Sequence, residues 1–192
     1  MIKEFYKRNL PHWTPLGSIF FVTYCLADAI PQTVLEKMAE DFVMEVEKLK
    51  KEPNFTSSML NDLHKKQFAR FDKCLNKGYG EQHLKKPAIA QIVKESLHYF
   101  DGTRLELISY CIMSNHVHVM LRVFEKDKLG KPITLSKVMH SIKSFSSSEI
   151  NYKLKLKGTL WLAESYDHWV RHPKSWGRIV DYILDNSRVD RR

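Results

Sequence analysis

The chain has 192 residues, of which 43% are apolar and 11% aromatic, enough for a single domain with its own core. A formal charge of +9, with 11 basic against 6 acidic groups in residues 134–192, suits a polyanionic partner such as nucleic acid. Cys25, Cys74 and Cys111 are odd in number and far apart, the opening "MIKEFYKRNL" has no signal-peptide core, and the longest apolar run, "SIFFVTYCLA", is about half a membrane span. Together these argue against a disulfide framework, a cysteine metal cluster and an export signal, and lead to the expectation of a reducing cytosol.

"GSIFFVTYCLAD", residues 17–28, reads as a first strand rich in aromatic and β-branched residues. A helix is predicted after Pro31, with Leu35, Met38, Ala39, Phe42, Val46 and Leu49 at helical spacing. A second is predicted over about 58–76 on Leu60, Leu63, Phe71 and Leu75, closed by "KGYG". A third runs from Pro87 to about Phe100 and ends at "DG". Residues 105–112 and 116–124 read as paired strands, with Ser114 and Asn115 as turn residues. A helix from about Thr134 uses Leu135, Val138, Met139, Ile142 and Phe145. "KGTLWLAESYDHWVRH" allows a short edge strand and a bend, and the last helix starts at Pro173 and reaches about Asn186. The order is β-α-β-β-α-β with extra helices. This predicts an α+β fold of the ferredoxin-like, split βαβ kind, with an antiparallel sheet and helices added between the first and second strands. We expect one domain over 1–192, with a helical insertion at about 55–85.

The segment "YCIMSNHVHVMLRV" places two histidines one residue apart in an apolar strand. With nine histidines a chance pair is unremarkable, so its surroundings must decide. Strand alternation puts His116, His118, Met120 and Arg122 on one face and Val117, Val119, Leu121 and Val123 on the other. The valine face is a core face. The histidine face points away from it, with rings about 7 Å apart along the strand at ~3.4 Å per residue, close enough to lean onto one metal ion. The plainer reading is two half-exposed strand histidines with no ligand.

On the last helix, Trp176, Ile179, Val180, Ile183 and Leu184 form the apolar stripe. Tyr182 and Asn186 are four apart and sit together on its flank, where a tyrosine either packs or is presented to a cleft. A cation held by His116, His118 and the Asn186 carbonyl would act as a Lewis acid on a phosphodiester, with Tyr182 as the nucleophile. Trp161, Tyr166 and Trp169 could stack unpaired bases, with Arg171 and Lys174 beside them. Arg122, Lys143 and Arg178 complete the expected DNA-binding set.

These residues resemble a known family. "MSNHVHVML" is similar to the His-hydrophobic-His signature of HUH single-strand endonucleases, and the chain from residue 8 to 187 resembles the REP-associated tyrosine transposases in "NLPHWTPLGSIFFVTYCLAD", "RFDKCLNKGYGEQHLKKPAIAQIVKESLHYFDGTRLELISYCIMSNHVHVML" and "LWLAESYDHWVRHPKSWGRIVDYILDN". The resemblance implies metal ligation by His116 and His118, a nucleophile at Tyr182, and Asn186 in the metal shell. It implies magnesium or manganese, two imidazoles favouring manganese somewhat. The implied reaction is cleavage and rejoining of single-stranded DNA at hairpins, leaving a 5′-phosphotyrosine and a free 3′-hydroxyl, in the bacterial cytosol or nucleoid, by a homodimer or a monomer. Ser114 and Ser187 stand where the family usually has proline, and the sequence runs five residues past Ser187, short of many relatives. Hairpin recognition and full transposition are therefore the least expected of the family's traits to carry over. Two rival readings use the same residues: a hairpin DNA or RNA binding protein without chemistry, and a nucleotide hydrolase. The hydrolase would ordinarily ask for a third alternate histidine where Met120 stands.

Overall fold

The computed structural model describes residues 5–7, 11–13 and 15–189, with side chains over 15–186. Two short strands, β1 (Phe5–Lys7) and β2 (Pro11–Trp13), form an antiparallel pair that the sequence pattern did not suggest. The main sheet is built from β3 (Ile19–Cys25), β4 (Leu105–Ile112), β5 (His116–Val123) and β6 (Tyr166–Trp169). Its order is β4-β5-β3-β6 with every neighbour antiparallel, which is the ferredoxin-like arrangement expected from the element order. The expected short edge strand is β6, pairing Tyr166 with Thr23 and Trp169 with Phe20.

Among the described residues, five α-helices accompany the sheet: α1 (Gln32–Lys50), α2 (Ser57–Leu75), α3 (Pro87–His98), α4 (Leu135–Leu154) and α5 (Pro173–Val189). Local chemistry fixes their starts. Thr56 and Thr134 cap α2 and α4 by accepting hydrogen bonds from Met59 N and Lys137 N, and Pro87 opens α3 where no amide partner is needed. Both α1 and α2 lie between the first and second strands of the main sheet.

Alternation on β5 divides the interior into two layers. Val117, Val119, Leu121 and Val123 join Phe20, Val22 and Tyr24 in a large core covered by α3 and α4 through Ile89, Val93, Leu97, Val138 and Ile142. Trp161 belongs to this core. It is 4% exposed, its Nε1 donates to Ser146 Oγ at 3.0 Å, and its ring meets Tyr24 edge-on, so it is packing rather than a base platform. The other face of the sheet is also covered. A smaller cluster of Phe21, Cys111, Met113, Met120, Val170 and Ile183 lies beneath α5, with Phe68 of α2 packed against it. The histidine face is therefore an interior one, not the half-exposed surface that the plainer sequence reading supposed. No described helix is long and apolar enough to cross a membrane.

Candidate active site

The site lies where β5, α2 and α5 meet on the second face. His116 and His118 are 1% and 0% exposed, and their Nε2 atoms are 3.0 Å apart. The Tyr182 hydroxyl lies 3.3 Å from His118 Nε2 and donates a 2.6 Å hydrogen bond to Asp72 Oδ1. Asp72 Oδ1 is in turn 3.5 Å from His118 Nε2. Thus the imidazole pair and the phenol, separated by more than sixty residues, meet within one chain. The α5 pattern is turned slightly from the expected stripe. Ile183 is fully buried, Leu184 is 46% exposed, and Tyr182 faces inward on the opposite flank.

Hydrogen bonds fix the rings. Asn115 donates through Nδ2 to the carbonyls of Leu75 and Tyr79, so its Oδ1 faces His116 Nδ1 at 2.7 Å and can only accept. His116 therefore carries its proton on Nδ1 and turns a bare Nε2 toward the site. His118 Nδ1 lies 2.8 Å from Thr23 Oγ1, a hydroxyl able to donate or accept. When Thr23 donates, the His118 proton sits on Nε2 and bridges to His116. When Thr23 accepts, both Nε2 lone pairs face the same point.

Charge follows burial. Burial drives the His116 pKa down to about 4, and burial plus repulsion from His116 drives His118 well below the usual imidazole range. Both rings are neutral near pH 7, the form that ligates metal. Burial raises the Asp72 carboxyl, while hydrogen bonds from Tyr182 and Asn76 oppose that rise. Burial also raises the Tyr182 phenol, with the Asp72 hydrogen bond adding to it and Asn186 opposing.

Asp72, His116 and His118 offer ligand atoms that all lie within 4.8 Å of one another. The donors, two neutral imidazoles and a carboxylate, suit a divalent first-row transition ion better than magnesium. Their spacing suits it too, because ligands about 2.1 Å from an octahedral ion stand about 3.0 Å apart, the separation of the two Nε2 atoms. Asn186 donates through its Nδ2 to the Tyr182 carbonyl at 3.0 Å and acts on the Tyr182 phenol.

Sequence reasoning missed Asp72, Thr23 and Asn115. Asp72 carried a signal: it lies four residues after Phe68 and three before Leu75, on the inward face of α2, where an acid needs a reason. Asn115 was read as a turn residue. It is buried, and its backbone carbonyl accepts from Leu26 N as its side chain orients His116.

The expected DNA-binding residues are spread over both faces. Arg171, Lys174 and Arg178 are exposed around the start of α5, with the Arg171 guanidinium 4.8 Å over the Trp169 ring. Arg122 is at the far end of β5 and pairs with Glu106 at 3.5 Å. Lys143 and Trp169 lie on the opposite sheet face, with the large core. The Lys143 ammonium donates to the carbonyls of Leu162 and Ala163 and to Ser165 Oγ, tying the segment that leads into β6.

The split βαβ sheet thus carries a buried His-x-His pair, and α5 turns a tyrosine toward it. Residues 76–186, more than half of the chain, match the family described as "Transposase IS200 like", and the chain belongs to that family. The match begins four residues after Asp72. Among solved structures, the chain is similar to a REP-associated tyrosine transposase bound to a REP hairpin, at 14% identity and a TM-score of 0.49, over 94% of this chain and 70% of that one. It is also similar to a candidate transposase from Deinococcus radiodurans, at 10% identity and a TM-score of 0.34, over 94% of this chain and 96% of that one. No curated protein matches the chain.

Proposed function

We infer that this chain is a metal-dependent endonuclease and transposase that cleaves and rejoins single-stranded DNA at hairpins through a 5′-phosphotyrosine on Tyr182. The observation that carries this reading is the meeting of the Tyr182 hydroxyl, His118 Nε2 and Asp72 Oδ1 within 3.5 Å of one another. His116 and His118 would hold a magnesium or manganese ion, with Asp72 and Asn186 as the oxygen donors at hand. Bound there, a divalent cation supplies Lewis-acid stabilisation of charge on a phosphodiester.

The protein's own groups account for the rest. The Tyr182 oxygen attacks phosphorus, and its proton passes to the Asp72 carboxylate along the existing hydrogen bond. The bond from phosphorus to the 3′ oxygen breaks, and that oxygen takes a proton from solvent to leave as a free hydroxyl. Rejoining is the reverse: a 3′-hydroxyl gives its proton to solvent as it attacks the phosphotyrosine, and Tyr182 recovers its proton from Asp72. Phenol is a weak nucleophile at its ordinary pKa of ~10, so a carboxylate already bonded to its proton matters. Arg171, Lys174 and Arg178 flank the entrance to the helix bearing Tyr182 and would grip phosphates of the strand. A strand reaching Lys143 as well would have to pass round β6, the outer strand of the sheet.

The test is incubation with labelled hairpin-bearing single-stranded DNA and manganese, followed by denaturing electrophoresis. A protein–DNA band that needs both manganese and Tyr182 is the expected result. A band that persists in Tyr182→Phe removes Tyr182 from the nucleophile's place. A protein that binds the hairpin yet never forms the band is the non-catalytic binder instead.

A further inference from the structure

Bordered by Tyr182, a cavity of about 260 Å³ opens between α2, β6 and α5. Its apolar wall is aromatic. The rings of Phe68 and Tyr166 pack at a tilt, with centroids 4.3 Å apart and planes 31° apart, and Phe21 meets Phe68 edge-on at 5.6 Å. Its polar wall is basic: Lys65, His168 and Arg178 line it, and no lining residue is a carboxylate. Lys65 pairs with Asp62 in an exposed contact of the kind worth little, so its ammonium can exchange partners cheaply. Arg178 Nε is anchored on the Lys174 carbonyl, which aims the guanidinium without neutralising it. Burial first, then the charges of Arg171, Lys65 and His64, hold the His168 imidazole below its usual range, with Asp167 opposing.

An aromatic wall under a cationic rim is how proteins hold one unpaired nucleotide, by stacking its base and pairing its phosphate. We propose that this cavity is a nucleotide subsite, in which the base next to the scissile phosphate extends the Phe68–Tyr166 pair while Lys65 and Arg178 take its backbone charge. A base inside a duplex is stacked on both sides and cannot offer its face, so the subsite selects a strand unpaired at the link to be cut. Two of its walls, Lys65 and Phe68, come from α2, which precedes the segment matching the family. The inference rests on the nucleolytic reading for its place beside a scissile phosphate, but its binding can be measured apart from any chemistry.

The measurement is anisotropy titration of labelled oligo(dT), and of an abasic strand of equal length, in chelator so that no cleavage occurs. Phe68→Leu keeps apolar volume but removes the ring. It should weaken oligo(dT) on the order of 10-fold and leave the abasic strand unchanged. Tyr166→Leu should do the same, whereas Tyr166→Phe, which keeps the ring, should bind as the parent does. Lys65→Gln with Arg178→Gln should weaken both strands and flatten the salt dependence. Equal loss on both strands, or no loss with Phe68→Leu, overturns the subsite. The adduct assay with hairpin DNA reads the parent proposal separately. Adducts without a base-dependent loss sink the subsite alone. A base-dependent loss without adducts sinks the nucleolytic reading and supports the subsite.

Discussion

The Tyr182 hydroxyl and Asp72 Oδ1, 110 residues apart, are joined by a 2.6 Å hydrogen bond that links α5 to α2 across the histidine pair. In the proposed reaction that bond would give Asp72 two uses, proton acceptor and cation ligand, and both would need its negative charge. Asp72→Asn keeps the shape and an oxygen that can accept from Tyr182. It should lower the adduct-forming rate by roughly 10²–10⁴-fold, the usual worth of a positioned acid or base. Stability should move the other way. Burial raises the Asp72 pKa in the folded protein, so its ionised form costs folding free energy once pH passes the ordinary carboxylate range. The amide removes that cost, and thermal melting at pH 7 should occur at an equal or higher temperature than the parent's. A sharp fall in melting temperature would instead make Asp72 a structural group.

Thr23 tests the ring assignment. Its hydroxyl must accept from His118 Nδ1 for both Nε2 atoms to be free for a cation. Thr23→Val is close in volume but offers no acceptor, whereas Thr23→Ser retains one. Manganese affinity by calorimetry should fall about 10–100-fold in the valine variant, the usual effect of losing a partner that orients a ligand. The serine variant should stay near the parent. Equal affinity in the valine variant would mean that His118 does not ligate through Nε2.

The depressed histidine pKa values predict a pH dependence of definite sign. In the unfolded chain His116 takes up a proton near pH ~6.5, but in the folded protein only near about 4. Its neutral form is thus favoured by folding, and the stability this represents is present above pH ~6.5 and is lost as pH falls toward 4. The full loss for His116 is about 3 kcal/mol. Manganese should raise the melting temperature strongly at pH 7 and progressively less toward pH 4, because protons compete for the same lone pairs. A manganese effect that is flat across this range is the result that excludes the histidines as ligands.

What could be read from the sequence follows from how local each relation is. The two faces of β5 depend only on alternation, so the His116–His118 face was legible without any knowledge of what covers it. Tyr182 was legible as a flank residue because helix periodicity is local. Asp72 was not, because nothing in the sequence of α2 says that its inward face lies over β5 rather than over the large core. Asn115 looked like a turn residue because Ser-Asn is good turn chemistry. Its role depends on carbonyls of Leu75 and Tyr79, delivered by a segment about forty residues earlier. Lys143 and Trp169 share the basic and aromatic character of Arg171 and Tyr166, and composition cannot tell which side of a sheet a residue takes.

That division of faces separates two kinds of basic residue. Arg171 and Lys174 are exposed at the start of the helix carrying Tyr182, whereas the Lys143 ammonium is held by two carbonyls and a hydroxyl. Replacing Arg171 and Lys174 by Gln should weaken single-stranded DNA binding and reduce the slope of log K against log salt by about 0.7 per lost phosphate contact, with little change in melting temperature. Lys143→Met removes hydrogen bonds from a charged donor, worth about 1.5–3 kcal/mol each at most, and unties residues 162–165 from α4. Its main effect should be on melting, with the salt slope for oligo(dT) close to the parent's. The reverse pattern, a reduced slope in Lys143→Met and an unchanged slope in the Arg171 and Lys174 pair, would place the DNA path on the α4 side of the sheet, away from Tyr182.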